Sequence, residues 1–371
     1  MIRFIHTADW QIGMKASGLG SASQAVRDAR LESIERLVGI GNEKEAQLML
    51  ITGDVFEDNA VDRLLVRKVG QLLAKFKGKV FITPGNHDPL APGSVWEHPV
   101  WEETSNLTVI RENKPIELEN CTLYPCPLKE KYSTKNPTSW IKAQDSASIA
   151  IGMAHGNVEG LPDVEPDFPI PQNAAETAGL DYLGIGHWHS YSPYKDREGA
   201  IRMAYSGTHE TTKFGERQSG NALLVEISKR GATPKIEVLP TGALTWHSME
   251  RTLESPGDLK ALINELNNLN EPDKALVRLR LSGLLFASDR EDLESIGEIL
   301  NARFLFGELQ AAALAPAPED DSWLEELPVG ALREAAETIR QQAMRGAEER
   351  DRAVATRALL ELFDSKEKVA R

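Results

Sequence analysis

Aspartates, an asparagine and histidines stand directly after strand-like apolar runs, and these are side chains that bind metal ions. Asp9 ends the run in "FIHTADWQIG". Asp54 follows "LMLIT" in "ITGDVFED", and Asn86, His87 and Asp88 follow "VFIT" in "TPGNHD". His155 closes "SIAIGMAHG", and His187 and His189 flank Trp188 at the end of "LDYLGIGHWH". Two carboxylates, one amide and three or four imidazoles form a nitrogen-and-oxygen donor set without thiolate, which suits manganese, iron or zinc and not iron–sulfur chemistry. Asp54 is the natural bridge between two ions. A pair roughly 3.5–4 Å apart can grip a phosphate ester and lower the pKa of a water, so the chemistry implied is phosphate ester hydrolysis. Taken singly, a buried aspartate after a strand is often a helix cap and a lone histidine a structural residue. The ordered set D-x-Q, G-D-x-x-x-D, G-N-H-D, H, G-H-x-H carries the reading, because each member follows a β-like run.

The elements that must position these residues alternate. The run Ile2–Ile5 precedes a helical pattern from Ser21 to Ile40, then a strand in "QLMLITGD", a second helical pattern from Val61 to Phe76, and a strand in "KVFITPGNHD". That order predicts a parallel sheet with helices packed on it, and ligands gather at the carboxyl ends of such strands. From Leu107 the segments are shorter and strand-like, predicting a second sheet and a two-sheet α/β layer. After about Thr245 the pattern is strand, helix, strand, helix, a small α+β domain, with Ser255-Pro256 and Ser288–Glu291 as helix starts. The run Gln310–Asp321, rich in Ala, Pro and acid, reads as a linker. Beyond it lies a helical tail broken near Gly346, with stripes Leu332, Ala335, Ala336, Ile339 and Val354, Ala358, Leu359, Leu362, Phe363. The expected organisation is a catalytic domain over 1–243, a capping domain over 244–315, and linker plus tail over 316–371.

At 371 residues, 41% hydrophobic and 26% charged, the chain has the composition of a globular protein of two or three domains. No apolar run approaches the ~18 residues needed to span a bilayer, and the first residues lack the features of a secretion signal, so no membrane partner and a cytoplasmic location are expected. Cys121 and Cys126 are expected as two reduced thiols. A net charge of −14 argues against a generally basic nucleic-acid binder but not against a nuclease, since bound dications hold phosphate locally.

The motif order resembles the calcineurin-like metallophosphoesterases. Within them, "HTADWQIG", "TGDVFED", "TPGNHD", "GHWH" and "AYSGTHE" resemble the SbcD family of DNA-repair exonucleases, over Asp9 to about Glu210. The resemblance implies a two-sheet αββα sandwich, a capping domain and a helical tail. It implies a metal-dependent DNA nuclease, exonuclease and also endonuclease, with two divalent ions, Mn²⁺ foremost. By that resemblance Asp9, Asp54 and His189 hold one metal and Asp54, Asn86, His155 and His187 the other. His87 approaches the scissile phosphate to stabilise charge or protonate the leaving oxygen, and Asp88 orients His87. Its expected partners are DNA, an SbcC-like SMC-type ATPase docking on the tail, and a second copy of the chain. The alternatives are a phosphodiesterase or phosphatase acting on small nucleotides, and a non-catalytic scaffold.

One position departs from that family. It carries a histidine ligand of the first metal where Gln11 stands. A glutamine offers a neutral amide oxygen, a weaker donor than imidazole to most transition metals. Gln11 then coordinates directly, holds a coordinated water, or leaves the first site empty. A retuned site is favoured, because every other ligand in the set is present.

Overall fold

Four parallel strands, β1 (Ile2–Thr7), β2 (Leu48–Thr52), β3 (Lys79–Thr83) and β4 (Leu107–Val109), carry the first motif loops to one edge of a sheet. The computed structural model describes residues 1–160, 167–317, 322–345 and 348–370. β2 is buried at every position, the mark of a parallel strand covered on both faces. Helices α1 (Ser23–Glu43) and α2 (Arg63–Leu73) make the crossovers, and their Ile34, Leu37, Val66 and Val69 pack on Ile5, Met49, Ile51 and Val80. Asp62 caps α2 by accepting from the Leu64 N–H at 2.7 Å. A single turn, α3 (Val100–Glu103), precedes β4.

The second sheet is built from β5 (Ile116–Glu117), β6 (Cys121–Pro125), β7 (Ile149–His155), β8 (Tyr182–Gly186), β9 (Ser192–Lys195) and β10 (Ile201–Tyr205), in the order β5-β6-β7-β8-β10-β9. Its four inner strands are parallel and its two edges antiparallel. The chain then returns to the first sheet as β11 (Asn221–Ile227), antiparallel to β1, and β12 (Lys235–Pro240), antiparallel to β11 at the sheet's edge. Phe4, Leu50 and Phe81 of one sheet meet Leu123, Ile151 and Tyr182 of the other in the central core. On the outer face of the second sheet, α4 (Ala174–Ala178) covers Ala150 and Leu183. Helix, sheet, sheet and helix form the expected αββα layers. Cys121 and Cys126 are free and buried, and burial pushes their thiols up to about 11 and about 12, so both are unreactive structural groups.

The chain divides into two units, Met1–Thr245 and Trp246–Arg371. In the second, β13 (Thr245–Leu253), β14 (Ala275–Leu285) and β15 (Phe306–Pro316) form one sheet in that order. Helices α5 (Asp258–Asn267) and α6 (Arg290–Arg303) bury Leu259, Leu262, Ile296 and Leu300 against Val277, Leu279 and Leu281. α5 begins two residues later than its Ser-Pro signal suggests. Gly257 turns the chain at φ 92°, and Asp258 accepts from the N–H groups of Glu254 and Ser255.

Two expectations for this unit change. Gln310–Pro316 is no linker but part of β15, paired in parallel with β14; the end of that run, residues 318–321, lies outside the described residues. The break near Gly346 also lies outside them. The tail helices α7 (Ala331–Arg345) and α8 (Glu349–Ala370) pack on each other and on Trp323, Leu324 and Leu327. Ala336, Ala343, Ala355 and Leu359 make that seam, while Leu332 and Val354, expected on the apolar stripes, face outward. Among the described residues no helix is long and apolar enough to cross a membrane.

Candidate metal centre

The β1 and β2 loops stay paired beyond their strands. Asp9 N–H donates to Gly53 O at 3.1 Å, Gln11 N–H to Asp54 O at 3.1 Å, and Ile12 N–H to Val55 O at 2.9 Å. This puts Asp9, Gln11 and Asp54 side by side at the carboxyl edge of the sheet. Arg30 of α1, fully buried, fastens the same loop from behind by donating to the Trp10 carbonyl at 2.9 and 2.5 Å. Four of these loop residues have left-handed backbone, Asp9 (φ 55°), Gln11 (φ 47°), Asp54 (φ 53°) and His187 (φ 109°). Such conformations cost roughly 1–3 kcal/mol each and cluster where side chains must be aimed.

Two glycines make room for the site. A Cβ on Gly53, at φ 92°, would stand 2.2 Å from His155 Nδ1, and one on Gly85 would stand 2.2 Å from Asp54 Oδ1. The "TGD" and "PGN" spellings are therefore steric requirements of the side chains they cradle.

The tightest group is Asp54, His155 and His187, whose donor atoms all lie within 4.8 Å of one another. Asn86 Oδ1 sits 2.9 Å from His155 Nε2 and 3.1 Å from His187 Nδ1. Because Thr52 O can only accept, His155 Nδ1 carries the proton of their 2.8 Å bond. Its Nε2 therefore points inward, at Asn86 Oδ1 and, 3.3 Å away, at Asp54 Oδ2. A carboxylate oxygen, an amide oxygen and two imidazole nitrogens from four strand ends converge, each with electrons to donate. Such a set fits a divalent cation of the Mn²⁺, Fe²⁺ or Zn²⁺ type.

Without a metal, protons serve in its place. Burial alone would lower His155, but the Asp54 carboxylate raises it to about 9. Burial and the His155 charge lower His187 to about 3, so it is a neutral imidazole. Burial, supported by the Asp54 charge, raises Asp9 to about 6.

The other half of the set is looser. Gln11, buried, donates from Nε2 to Asp54 Oδ2 at 3.3 Å. Asp9 accepts the His187 backbone N–H on both oxygens, at 2.9 and 3.0 Å. Neither Asp9 nor His189 belongs to the group within 4.8 Å, although each carboxylate and imidazole charge is felt by the other. His189 is anchored by a residue the sequence did not single out. Its Nδ1 lies 2.8 Å from Glu216 Oε1, on a carboxylate that also accepts from the Thr212 N–H at 2.8 Å and from the Thr212 hydroxyl.

His87 stands exposed at the mouth, its N–H donating to Asp54 Oδ1 at 2.9 Å and its Nδ1 to the Glu57 carbonyl at 3.0 Å. Asp88, expected to orient His87, does not touch its ring. It is fully buried, accepts from Gly85 N–H at 2.7 Å and Phe56 N–H at 3.0 Å, and braces the loop. His6 bridges the sheets through Tyr182 and Thr52, and His209 packs on Trp10 and bonds the Arg30 carbonyl; both are structural.

A two-sheet sandwich presenting oxygen and imidazole donors from its strand ends is the build of a metal-dependent phosphoester hydrolase. The family model described as calcineurin-like phosphoesterase matches residues 2–191, and the chain belongs to that family. None of the curated proteins matches it in sequence. Among solved structures, TT1561 of Thermus thermophilus is similar with 11% identity and a TM-score of 0.42, over 65% of this chain and 99% of that one. Purple acid phosphatase PPD1 from yellow lupin (Lupinus luteus) seeds is 11% identical at a TM-score of 0.40, over 65% and 51%. A 5'-nucleotidase precursor from Thermus thermophilus is 13% identical at a TM-score of 0.37, over 64% and 54%.

Proposed function

We propose that this protein is a metal-dependent DNA nuclease, hydrolysing phosphodiester bonds as exonuclease and also as endonuclease. The observation that carries the hydrolysis is the convergence of Asp54, Asn86, His155 and His187 on one point below an exposed His87. The choice of DNA rests on the resemblance of the five motifs to the SbcD exonucleases.

In this reading Asp54, Asn86, His155 and His187 hold one divalent ion, and Asp9, Asp54 and His189, with Gln11 beside them, hold a second. Bound there, divalent cations supply Lewis acidity toward the phosphoryl oxygens and lower the pKa of water. Mn²⁺ suits the mixed amide, carboxylate and imidazole donors. Asp54, shared by both sets, keeps its charge because His155 and His87 hold its pKa down against burial. In this reading a His87 imidazolium donates a proton from Nε2 to the leaving oxygen, while its Nδ1–H is held on Glu57 O. On the same resemblance, an SbcC-like SMC-type ATPase docks on the α7–α8 hairpin, where Leu332, Met344 and Val354 are left exposed, and two copies of the chain pair.

Degradation of end-labelled single-stranded and duplex DNA in Mn²⁺ tests the reading. Wild type should cut, and His87→Ala should bind as much metal yet cut about 10²–10⁴-fold more slowly. Wild-type protein that leaves DNA intact while releasing phosphate from mononucleotides would replace the nuclease with a small-ester hydrolase.

A further inference from the structure

A cavity of about 420 Å³ opens against His187 and His189, with Trp188, Lys213 and Phe214 among its walls. Its size falls within the ~300–1,000 Å³ range of small-molecule sites. Trp188 is the odd tryptophan of the first unit. Trp10, Trp96, Trp101 and Trp140 each donate their indole N–H to an acceptor of the fold, and each is buried or half-buried. Trp188 makes no such bond among the described residues, stacks on no other ring, and leaves 38% of its surface exposed. Trp188 thus keeps part of its aromatic surface open to solvent between His187 and His189.

The cleft's chemistry narrows its occupant. Trp188 offers stacking surface with Phe214 beside it, and the Lys213 ammonium, exposed, offers a counter-charge to phosphate. The one carboxylate in the wall, Glu216, is taken up by His189 and Thr212, so it does not repel an anion as a free acid would. A flat ring attached to a phosphate is the ligand that uses both features.

We propose that this cleft seats the nucleobase next to the scissile phosphate, stacked on Trp188 and flanked by Phe214, with Lys213 on the adjoining phosphate. This deepens the phosphoester-hydrolase reading of the neighbouring centre and rests on it. Stacking accepts any base, because every base has a π-face, so the subsite selects nucleotides over other phosphate esters without selecting sequence. It also requires a base that has left its own stack. The substrate is then an unpaired or frayed nucleotide rather than one held inside a duplex.

The test compares deoxyadenosine 5'-monophosphate with 2-deoxyribose 5-phosphate, which lacks the base. Calorimetric titration in Mn²⁺ uses the full chain carrying His87→Ala, so that turnover is slow. The base should improve affinity about 5- to 150-fold, which is one aromatic stack of ~1–3 kcal/mol at 1.4 kcal/mol per tenfold. Adding Trp188→Ala should bring the ratio of the two affinities to about one, and Trp188→Phe should restore most of it. Since the side chain is exposed, a melting curve confirms folding of each variant. A ratio near one before Trp188 is changed, a ratio indifferent to Trp188, or no binding of either ester would overturn the proposal. Failure of the nuclease reading looks different: wild type would leave DNA uncut while the affinity ratio stayed high.

Discussion

Glu216 holds His189 through a 2.8 Å hydrogen bond to Nδ1, from a carboxylate whose side chain is only 5% exposed. Burial would raise Glu216 and lower His189, but their mutual bond reverses both shifts. With Nδ1–H committed to the carboxylate, Nε2 is the nitrogen left to face a metal, the usual arrangement behind a ligating imidazole. In Glu216→Gln an amide N–H facing Nδ1 would push the proton to Nε2 and block it. On the proposed two-ion reading, Mn²⁺ affinity at the His189 site should fall about 10–100-fold, with the Asn86–His155–His187 site and the metal-free melting temperature little changed. Isothermal titration reads this, and two unaltered affinities would leave Glu216 a merely structural residue.

The glycine cradles make a sharper steric claim. Gly85→Ala would drive a methyl to 2.2 Å from Asp54 Oδ1 and 2.4 Å from Asp54 N, and the backbone neighbour has nowhere to go. The variant should lose about 1–3 kcal/mol, the ordinary cost of overpacking, together with Mn²⁺ binding. Gly39→Ala is the control, since it meets nothing within 4 Å on an exposed position of α1 and should gain roughly 0.5–1 kcal/mol. Urea unfolding of both distinguishes a crowded site from a general intolerance of substitution.

Metal binding should strengthen with pH, for reasons visible in three buried groups. Burial, then the Asp54 charge, raises Asp88 to about 7 and Asp9 to about 6, and Asp54 raises His155 to about 9 against its burial. A raised carboxyl contributes stability that is complete below its ordinary 3.8 and is lost as pH climbs through about 6 and about 7. The raised His155 contributes below 6.5 and its share is lost toward about 9. Between pH about 6.5 and 9 the metal-free protein therefore loses the His155 share, while a cation that must displace the His155 proton binds better. The gap in melting temperature between Mn²⁺ and chelator should widen steadily from pH 6 to 8.5. A gap constant across that range would mean that His155 is not a ligand.

Much of the centre was legible in the sequence because strand ends are. Asp54, Asn86, His155 and His187 each come directly after an apolar run, so the parallel sheets fix where they emerge. Glu216 was not legible: it sits in a polar loop, and only the fold brings that loop against His189. The task of Asp88 is not legible in the sequence, since its neighbour His87 points elsewhere while Gly85 and Phe56 turn their N–H groups to it. β15 was missed because alanines have weak strand preference, and its pairing with β14 across about thirty residues decides the matter. In the tail, Leu332 and Val354 suit an amphipathic stripe, yet the close contact of α7 and α8 runs through small residues, Ala336, Ala343 and Ala355.

Gln11 is the position where this chain departs from the motif it otherwise resembles. Its backbone sits at φ 47°, its side chain is 4% exposed, and its amide donates to the Asp54 oxygen that also faces His155. The neutral amide there draws on the charge of the Asp54 carboxylate. Histidine tolerates left-handed backbone better than most residues, so Gln11→His should fold without added strain. An imidazole nitrogen in that place would add a stronger donor. Mn²⁺ should then bind the looser set more tightly, and hydrolysis should rise in step if occupancy of that set limits the rate. The complementary variant, Gln11→Ala, should weaken binding there and leave the Asn86–His155–His187 set intact. Titration of ions per chain and hydrolysis rates for the three proteins decide it. Identical stoichiometry, affinity and rate would place residue 11 outside the coordination shell and make its hydrogen bond to Asp54 its whole contribution.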